Sequence, residues 1–210
     1  MASTKQTLSQ VPTSQGHSEM TAPLPRPTVR SLGVFALRAT IDIAAPPSAV
    51  LKATLAHHSY GMWNSFVPSI TIKSQPPPPA DPSKTLGRPD DLQLGSQFVM
   101  TVYMDGSGLK SAAELGSATS NPETITVLEE LGDGRNGYRV AWKTSMFPDF
   151  LLNAERVQEM AENSDGGTTY TTWETFGGPL AYAVKLWSGR ALVDRFGDWG
   201  RDLKRYVESR

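Results

Sequence analysis

The strongest chemical signal in this 210-residue chain is an arginine and a glutamate that can face one another across a β-hairpin. Asn163-Ser164-Asp165-Gly166-Gly167 is a cluster of turn-forming residues between two strand-like stretches, Phe150 to Ala161 and Thr168 to Phe176. The second stretch is rich in Thr, Tyr and Trp, whose side chains fit a pleated sheet. A hairpin centred on Asp165 sets Met160 opposite Tyr170, Gln158 opposite Thr172 and Arg156 opposite Glu174. Along the first strand, Leu152, Ala154 and Met160 mark the apolar side, against Asn153, Glu155 and Glu159, so Arg156 and Gln158 turn inward with them. A lone buried charge costs several kcal/mol, and a partner offsets that cost. Glu174 is therefore the candidate acid or base, and Arg156 the group that would hold it ionised or polarise a substrate carbonyl. A register slipped by one residue, or a strand facing the other way, makes the same two residues a surface pair worth about 0–1 kcal/mol.

Around that pair the sequence offers wide, flat side chains with few polar groups, which is how a pocket for an apolar ligand is lined. The candidate ligand contacts are Tyr60, Trp63, Asn64, Phe98, Met100, Val102, Trp142, Phe147, Tyr170, Thr172, Val184 and Trp187. Tyr60 and Asn64 are the ones that could orient a ligand. Large aromatic residues also dominate any ordinary core, which is the plainer role for most of them. His57 and His58 are adjacent and point apart, so they cannot easily share a metal. No H-E-x-x-H, G-x-S-x-G or acidic cluster occurs, and cysteine is absent, so no metal site or cysteine or serine nucleophile is expected. Gly132-Asp133-Gly134-Arg135-Asn136-Gly137 fits G-x-G-x-x-G only formally. A strand, Tyr138 to Lys143, follows it, where dinucleotide binding needs a helix N-terminus.

The elements that must position these residues follow from periodicity. Gly33 to Ile43 alternates as a half-buried first strand, and Ala45-Pro46-Pro47-Ser48 stops it. Ala49 to Leu55 reads as a short helix and His57 to Phe66 as a second short helix or irregular turn. Strand character returns at Thr71 to Lys73, Ser96 to Asp105, Thr124 to Leu131 and Tyr138 to Lys143, then in the hairpin. Pro179 to Val207 is one long helical pattern, with Leu180, Val184, Trp187, Ala191, Leu192, Phe196, Trp199, Leu203, Tyr206 and Val207 on one stripe. Gly189 marks a place for it to bend or break. On this reading Val184, Trp187 and Ala191 roof a cavity. The order predicts an α+β domain, with a long C-terminal helix against an antiparallel sheet.

Composition narrows the function further. Twenty basic and 21 acidic residues give a net charge of −1, with no basic segment to track phosphates, so nucleic acid is not an expected partner. No apolar run has the length of a membrane span, and the reading is a soluble cytoplasmic protein without stable membrane insertion. Met1 to Arg30 is rich in Ser, Thr, Gln and Pro and reads as a disordered tail. Residues 31–210 form the domain, with loop insertions at 75–95, which holds four consecutive prolines, and at 106–121.

Five stretches resemble a known group. Ile41-Asp42-Ile43-Ala44-Ala45-Pro46, then Val50, then Tyr60-Gly61-Met62-Trp63-Asn64-Ser65-Phe66-Val67-Pro68, is similar to the opening of START-like (SRPBCC) proteins. That superfamily includes the birch pollen allergen and polyketide cyclase/dehydrase-type proteins. Gly167-Thr168-Thr169-Tyr170, Trp173-Glu174-Thr175-Phe176-Gly177-Gly178-Pro179-Leu180 and Leu203-Lys204 resemble its closing strand and helix. The similarity covers Gly33 to Val207. It implies a helix-grip fold, a curved antiparallel sheet of about seven strands around the C-terminal helix, enclosing a cavity for lipids, sterols, quinones or polyketides. It implies no fixed catalytic set.

Two functions fit. The first is a cofactor-free tailoring enzyme, a cyclase, dehydratase or isomerase acting on a polyketide- or terpenoid-like substrate, because a shaped cavity can fold a reactive chain while a few polar groups move protons. The second is a carrier or chaperone for a lipid, sterol or quinone, in which the Arg156–Glu174 pair only anchors a polar head. Polar groups converging on an apolar pocket favour the first.

Overall fold

A computed structural model describes residues 16–77, 86–132 and 134–210. Its eight strands form one antiparallel sheet in the order β1-β2-β8-β7-β6-β5-β4-β3. The strands are β1 (His17–Thr21), β2 (Gly33–Ile43), β3 (Ser69–Ser74), β4 (Gln97–Tyr103), β5 (Ala118–Glu130), β6 (Gly137–Thr144), β7 (Asn153–Glu162) and β8 (Thr168–Gly177). Between β2 and β3 lie α1 (Pro47–Leu55) and a 3₁₀ turn (His57–Met62), and the chain ends in α2 (Leu180–Trp187) and α3 (Gly189–Glu208). From β3 to β8 each strand pairs with its successor, so the sheet is a meander that β2 extends beside β8. This is the helix-grip α+β arrangement, with α3 lying against the concave face.

Pro47 opens α1, where a missing N–H leaves no helical bond unmade. Gly178, at φ +85°, turns β8 sharply into α2, and a Cβ there would lie 2.6 Å from the Leu151 carbonyl oxygen. The break expected near Gly189 falls at Ser188, between α2 and α3. A Cβ on Gly189 would lie 2.5 Å from Cε of Met20, so the chain passes close over β1 at this point.

Two apolar clusters fill the concave side. One gathers Tyr60, Trp63, Phe66, Phe98, Trp142, Trp199 and Leu203 beneath α3, and the other packs Phe35, Leu37, Leu152, Phe176, Ala181 and Phe196 beneath α2 and the start of α3.

Two stretches depart from the sequence expectation. The tail reading fails for residues 16–30. His17–Thr21 pairs with β2, and the following segment crosses the convex face, where Leu24 exchanges two hydrogen bonds with the Thr175 hydroxyl and Trp173 Nε1 donates to the Pro25 carbonyl. Backbone and side-chain hydrogen bonds order this segment, with Met20 packed on the second apolar cluster, and composition does not report these contacts. The remainder of the tail, residues 1–15, and the proline tract from 78 to 85 lie outside the described residues. The second loop is also shorter than expected, because Ala118 to Asn121 belong to β5. Pro122 lacks a donor and suggests a strand boundary, but β5 runs through it, opposite Val99 of β4.

Candidate functional site

The β7–β8 register sets Arg156 opposite Glu174, with Gln158 opposite Thr172 and Met160 opposite Tyr170. All of these face the concave side. Between the two apolar clusters is a cavity of about 310 Å³, to which both Arg156 and Glu174 contribute. Its wall comes from β4 (Met100, Val102), β5 (Thr119, Asn121, Glu123), β6 (Trp142, Thr144), β7 (Ala154, Arg156) and β8 (Glu174, Phe176), with Val184, Ser188 and Leu192 from α2, α3 and the link between them.

Arg156 is 3% exposed. Its guanidinium carbon lies 4.1 Å from the ring centre of Trp199 and 4.2 Å from that of Phe196, so aromatic faces rather than a carboxylate surround it. Nε donates to Thr172 Oγ1 at 3.0 Å, and that hydroxyl donates in turn to the Val157 carbonyl. Nη2 is buried with no hydrogen-bond partner. Arg156 and Glu174 are thus neighbours without a direct ion pair.

Glu174 is half-buried, and burial pushes its carboxyl up to about 7 while the positive charge of Arg156 works against that rise. Glu123 is 7% exposed, and burial raises it well above the ordinary carboxylate range. The negative charge of Glu174 adds to that rise, and Arg156 and the Thr144 hydroxyl oppose it. The cavity therefore holds one cation and two carboxyls whose burial favours their protonated forms, Glu123 well above the ordinary range and Glu174 at about 7.

The structure brings Met100, Val102, Trp142 and Val184 to the cavity wall with Arg156 and Glu174, and places the other candidates elsewhere. Tyr60 is fully buried and donates to the Thr54 carbonyl at 2.7 Å. Trp63 packs on Tyr60, Trp199 and Tyr206, and Phe98 stands edge-on to Trp142, behind the wall. Asn64 Oδ1 accepts from the Phe66 and Val67 amides and fixes a turn. Tyr170 donates to Gln158 Oε1, and Thr172 holds Arg156, so both act behind the arginine. Phe147 lies partly exposed, and its neighbour Met146 lines the cavity instead.

Trp187 is 81% exposed and roofs nothing. The expected stripe ran through residues 180, 184, 187, 191 and 192. Val184 and Leu192 do turn inward, joined by Ala181, Ser188 and Gly189, which were not on it. Close approach to the sheet selects small residues there and leaves Tyr182, Leu186 and Trp187 outside.

Sequence reasoning missed Glu123. It shares strand parity with buried Ile125, so alternation from Ile125 would have turned it inward, but the expected strand starts at Thr124, one residue after it. A larger groove of about 480 Å³ opens between α1, the 3₁₀ turn and the end of α3. Its Lys52, His58, Arg88 and Arg210 are all solvated, while Asp91 is buried, accepts from the Arg88 amide through Oδ2 and leaves Oδ1 without a partner. Burial lowers the neighbouring His57, and the charge of His58 adds to this. Among the described residues no cluster of three His, Cys, Asp or Glu could hold a metal, and no helix is long and apolar enough to cross a membrane.

No family model matches the chain. The oxopyrrolidines biosynthesis cluster protein O of Penicillium oxalicum is 32% identical over 195 residues, covering 87% of this chain and 90% of that protein. Among solved structures, the major latex-like protein 151 of Panax ginseng aligns with a TM-score of 0.54 at 15% identity, over 82% of this chain and 96% of that one. The STAR-related lipid transfer protein fragment of Xanthomonas axonopodis aligns with a TM-score of 0.52 at 14% identity, over 86% and 89%. At these identities the two structures establish a shared fold.

Proposed function

Because the chain belongs to the family of the oxopyrrolidines biosynthesis cluster protein O and has the START-like helix-grip fold, we propose that it is a tailoring enzyme that binds an apolar, oxygen-bearing small molecule and moves protons on it without a metal or nucleotide. The observation that carries this reading is the unpartnered Nη2 of Arg156, beside Glu174, on the wall of a largely apolar cavity. A buried donor left unmade costs about 1–3 kcal/mol, a cost that a ligand oxygen would remove. A carboxyl that titrates near pH 7 suits general acid–base work, since both of its protonation states are then accessible. The relative's place in a biosynthetic cluster for oxopyrrolidines supports small-molecule tailoring. A cavity of about 310 Å³ is at the small end of ligand pockets and favours a compact substrate over a long lipid.

In the proposed mechanism the apolar walls exclude water and hold the substrate with a carbonyl oxygen against Arg156. Glu174, in its carboxylate form, takes a proton from the substrate and returns it later in the same turnover. The aromatic faces of Trp199 and Phe196 keep the guanidinium in place without neutralising it.

The test is native mass spectrometry of protein purified from its own source, extraction of the bound compound, and assay of that compound with wild type and Glu174→Gln. The expected result is conversion by wild type and binding without conversion by the variant. A wild type that returns every bound compound unchanged would establish a carrier.

A further inference from the structure

Three ionisable groups meet in the cavity, and the reading above uses only two of them. Glu123 comes from β5, across the cavity from β8, and is as enclosed as the apolar residues around it. Glu123 is hydrogen-bonded to the Thr144 hydroxyl and lines the same cavity as an arginine with a free donor. We propose that Glu123, Glu174 and Arg156 form an enolisation site, whose substrate class is a neutral, apolar carbonyl compound bearing a C–H next to the carbonyl. This deepens the proposed function and rests on it.

The step balances without a redox partner. Glu174 takes the proton from the carbon next to the carbonyl, and the C–H electron pair becomes the new C=C bond. The carbonyl π pair moves to oxygen, which Arg156 faces and which receives the Glu123 proton. An enol, a protonated Glu174 and an ionised Glu123 result, and the net charge of the three groups is unchanged. Reversal with proton return to a different carbon is an isomerisation. Attack of the enol carbon on a second carbonyl of the same molecule is a cyclisation.

The charged residues lining the cavity are Glu123 on β5, Arg156 on β7 and Glu174 on β8, while the helices facing them contribute Val184, Ser188 and Leu192. Burial raises Glu123 well above the ordinary carboxylate range and Glu174 to about 7, which suits Glu123 to the donor's role and Glu174 to the base's. A substrate that is already anionic would compete with Glu174 for Arg156, which is why the class is neutral.

The experiment uses 2-tetralone, a compact apolar ketone, as probe, and follows its α-hydrogen exchange in D₂O by NMR, with binding read from line broadening. Wild type is expected to accelerate exchange at least about tenfold over buffer. Glu174→Gln should bind the probe and lose the acceleration. Glu123→Gln should bind it and exchange more slowly by about 10²-fold, the lower end of the range for a general acid, or to the buffer rate where the wild-type gain is smaller. Glu123→Asp should recover part of the rate. Without any ligand, the infrared band of a protonated carboxyl at pH 7 should disappear in Glu123→Gln. Binding without exchange, exchange unchanged in Glu123→Gln, or an infrared spectrum unchanged by that substitution overturns the enolisation site and leaves ligand binding standing. A folded wild type that does not bind 2-tetralone overturns the cavity reading with it.

Discussion

Glu155 and Arg156 are consecutive on β7 and point to opposite faces of the sheet, and their surroundings differ in kind. On the convex face, Glu155 is fully buried, and its two oxygens accept from the Thr28 amide, the Thr28 hydroxyl and the Thr126 hydroxyl at 2.7–3.0 Å. Nearby, Arg139 is paired with both Glu129 and Glu159. On the concave face, Arg156 is nearly as buried, has one hydrogen bond from Nε, and leaves Nη2 with none. The protein completes its own polar groups on one side of a single strand and leaves them incomplete on the other. Completed groups serve stability, and incomplete ones create a demand that a ligand can meet.

The largest expected effect sets these two neighbours against each other. Glu155→Ala removes the acceptor of three donors, two of them on Thr28, and should destabilise the fold by about 2–4 kcal/mol. In thermal unfolding that is a fall in Tm on the order of 5–15 °C. Arg156→Met replaces a buried charge that has no ion-pair partner with an apolar side chain of similar length, so Tm should stay within about 3 °C of wild type. The same variant should lose conversion of the bound compound. An Arg156→Met variant as unstable as Glu155→Ala would mean that the arginine is structural.

A second, smaller effect is the pH dependence of stability. Glu174 has its folded value raised from 4.5 to about 7, so the folded state holds the proton that the unfolded chain releases first. Its contribution is therefore unfavourable above 4.5: stability falls as pH rises from about 4.5 to 7 and is then flat. Glu174→Gln cannot ionise and should lack this loss, gaining about 1–3 kcal/mol over wild type at pH 8 and little at pH 4. Denaturant titrations at the two pH values measure the difference. Equal gains at both would place the Glu174 carboxyl in ordinary solvent.

Much of the sheet was legible because alternation and turn chemistry are local. Centring the hairpin on Asp165, flanked by Asn163, Gly166 and Gly167, gave one of the registers left open, and β7–β8 adopts it with the Arg156–Glu174 pairing. What stayed hidden depended on contacts between distant segments. Glu155 looks like a solvent-facing residue in its own strand, and only the crossing of Thr28 over the convex face makes it buried. Tyr60, Trp63 and Phe98 have the composition of a pocket lining, but depth in a core cannot be read from residue type. Glu123 precedes Thr124, where its strand was expected to start, and β5 begins at Ala118.

The smallest expected effect concerns Trp187, where sequence pattern and structure disagree most. As part of an apolar stripe it would be a cavity roof, and truncating it would open a void costing about 3–5 kcal/mol. In the structure it projects into solvent at the end of α2, while Val184 and Ser188 close the cavity. Trp187→Ser should then change stability by no more than about 0.5 kcal/mol and leave binding in the cavity unchanged. Val184→Ala, one turn earlier on the inner side, should instead loosen the roof and weaken binding by severalfold. Urea unfolding and ligand titration of the two variants side by side test which face of α2 does the covering, and a larger loss from Trp187 than from Val184 would restore the stripe.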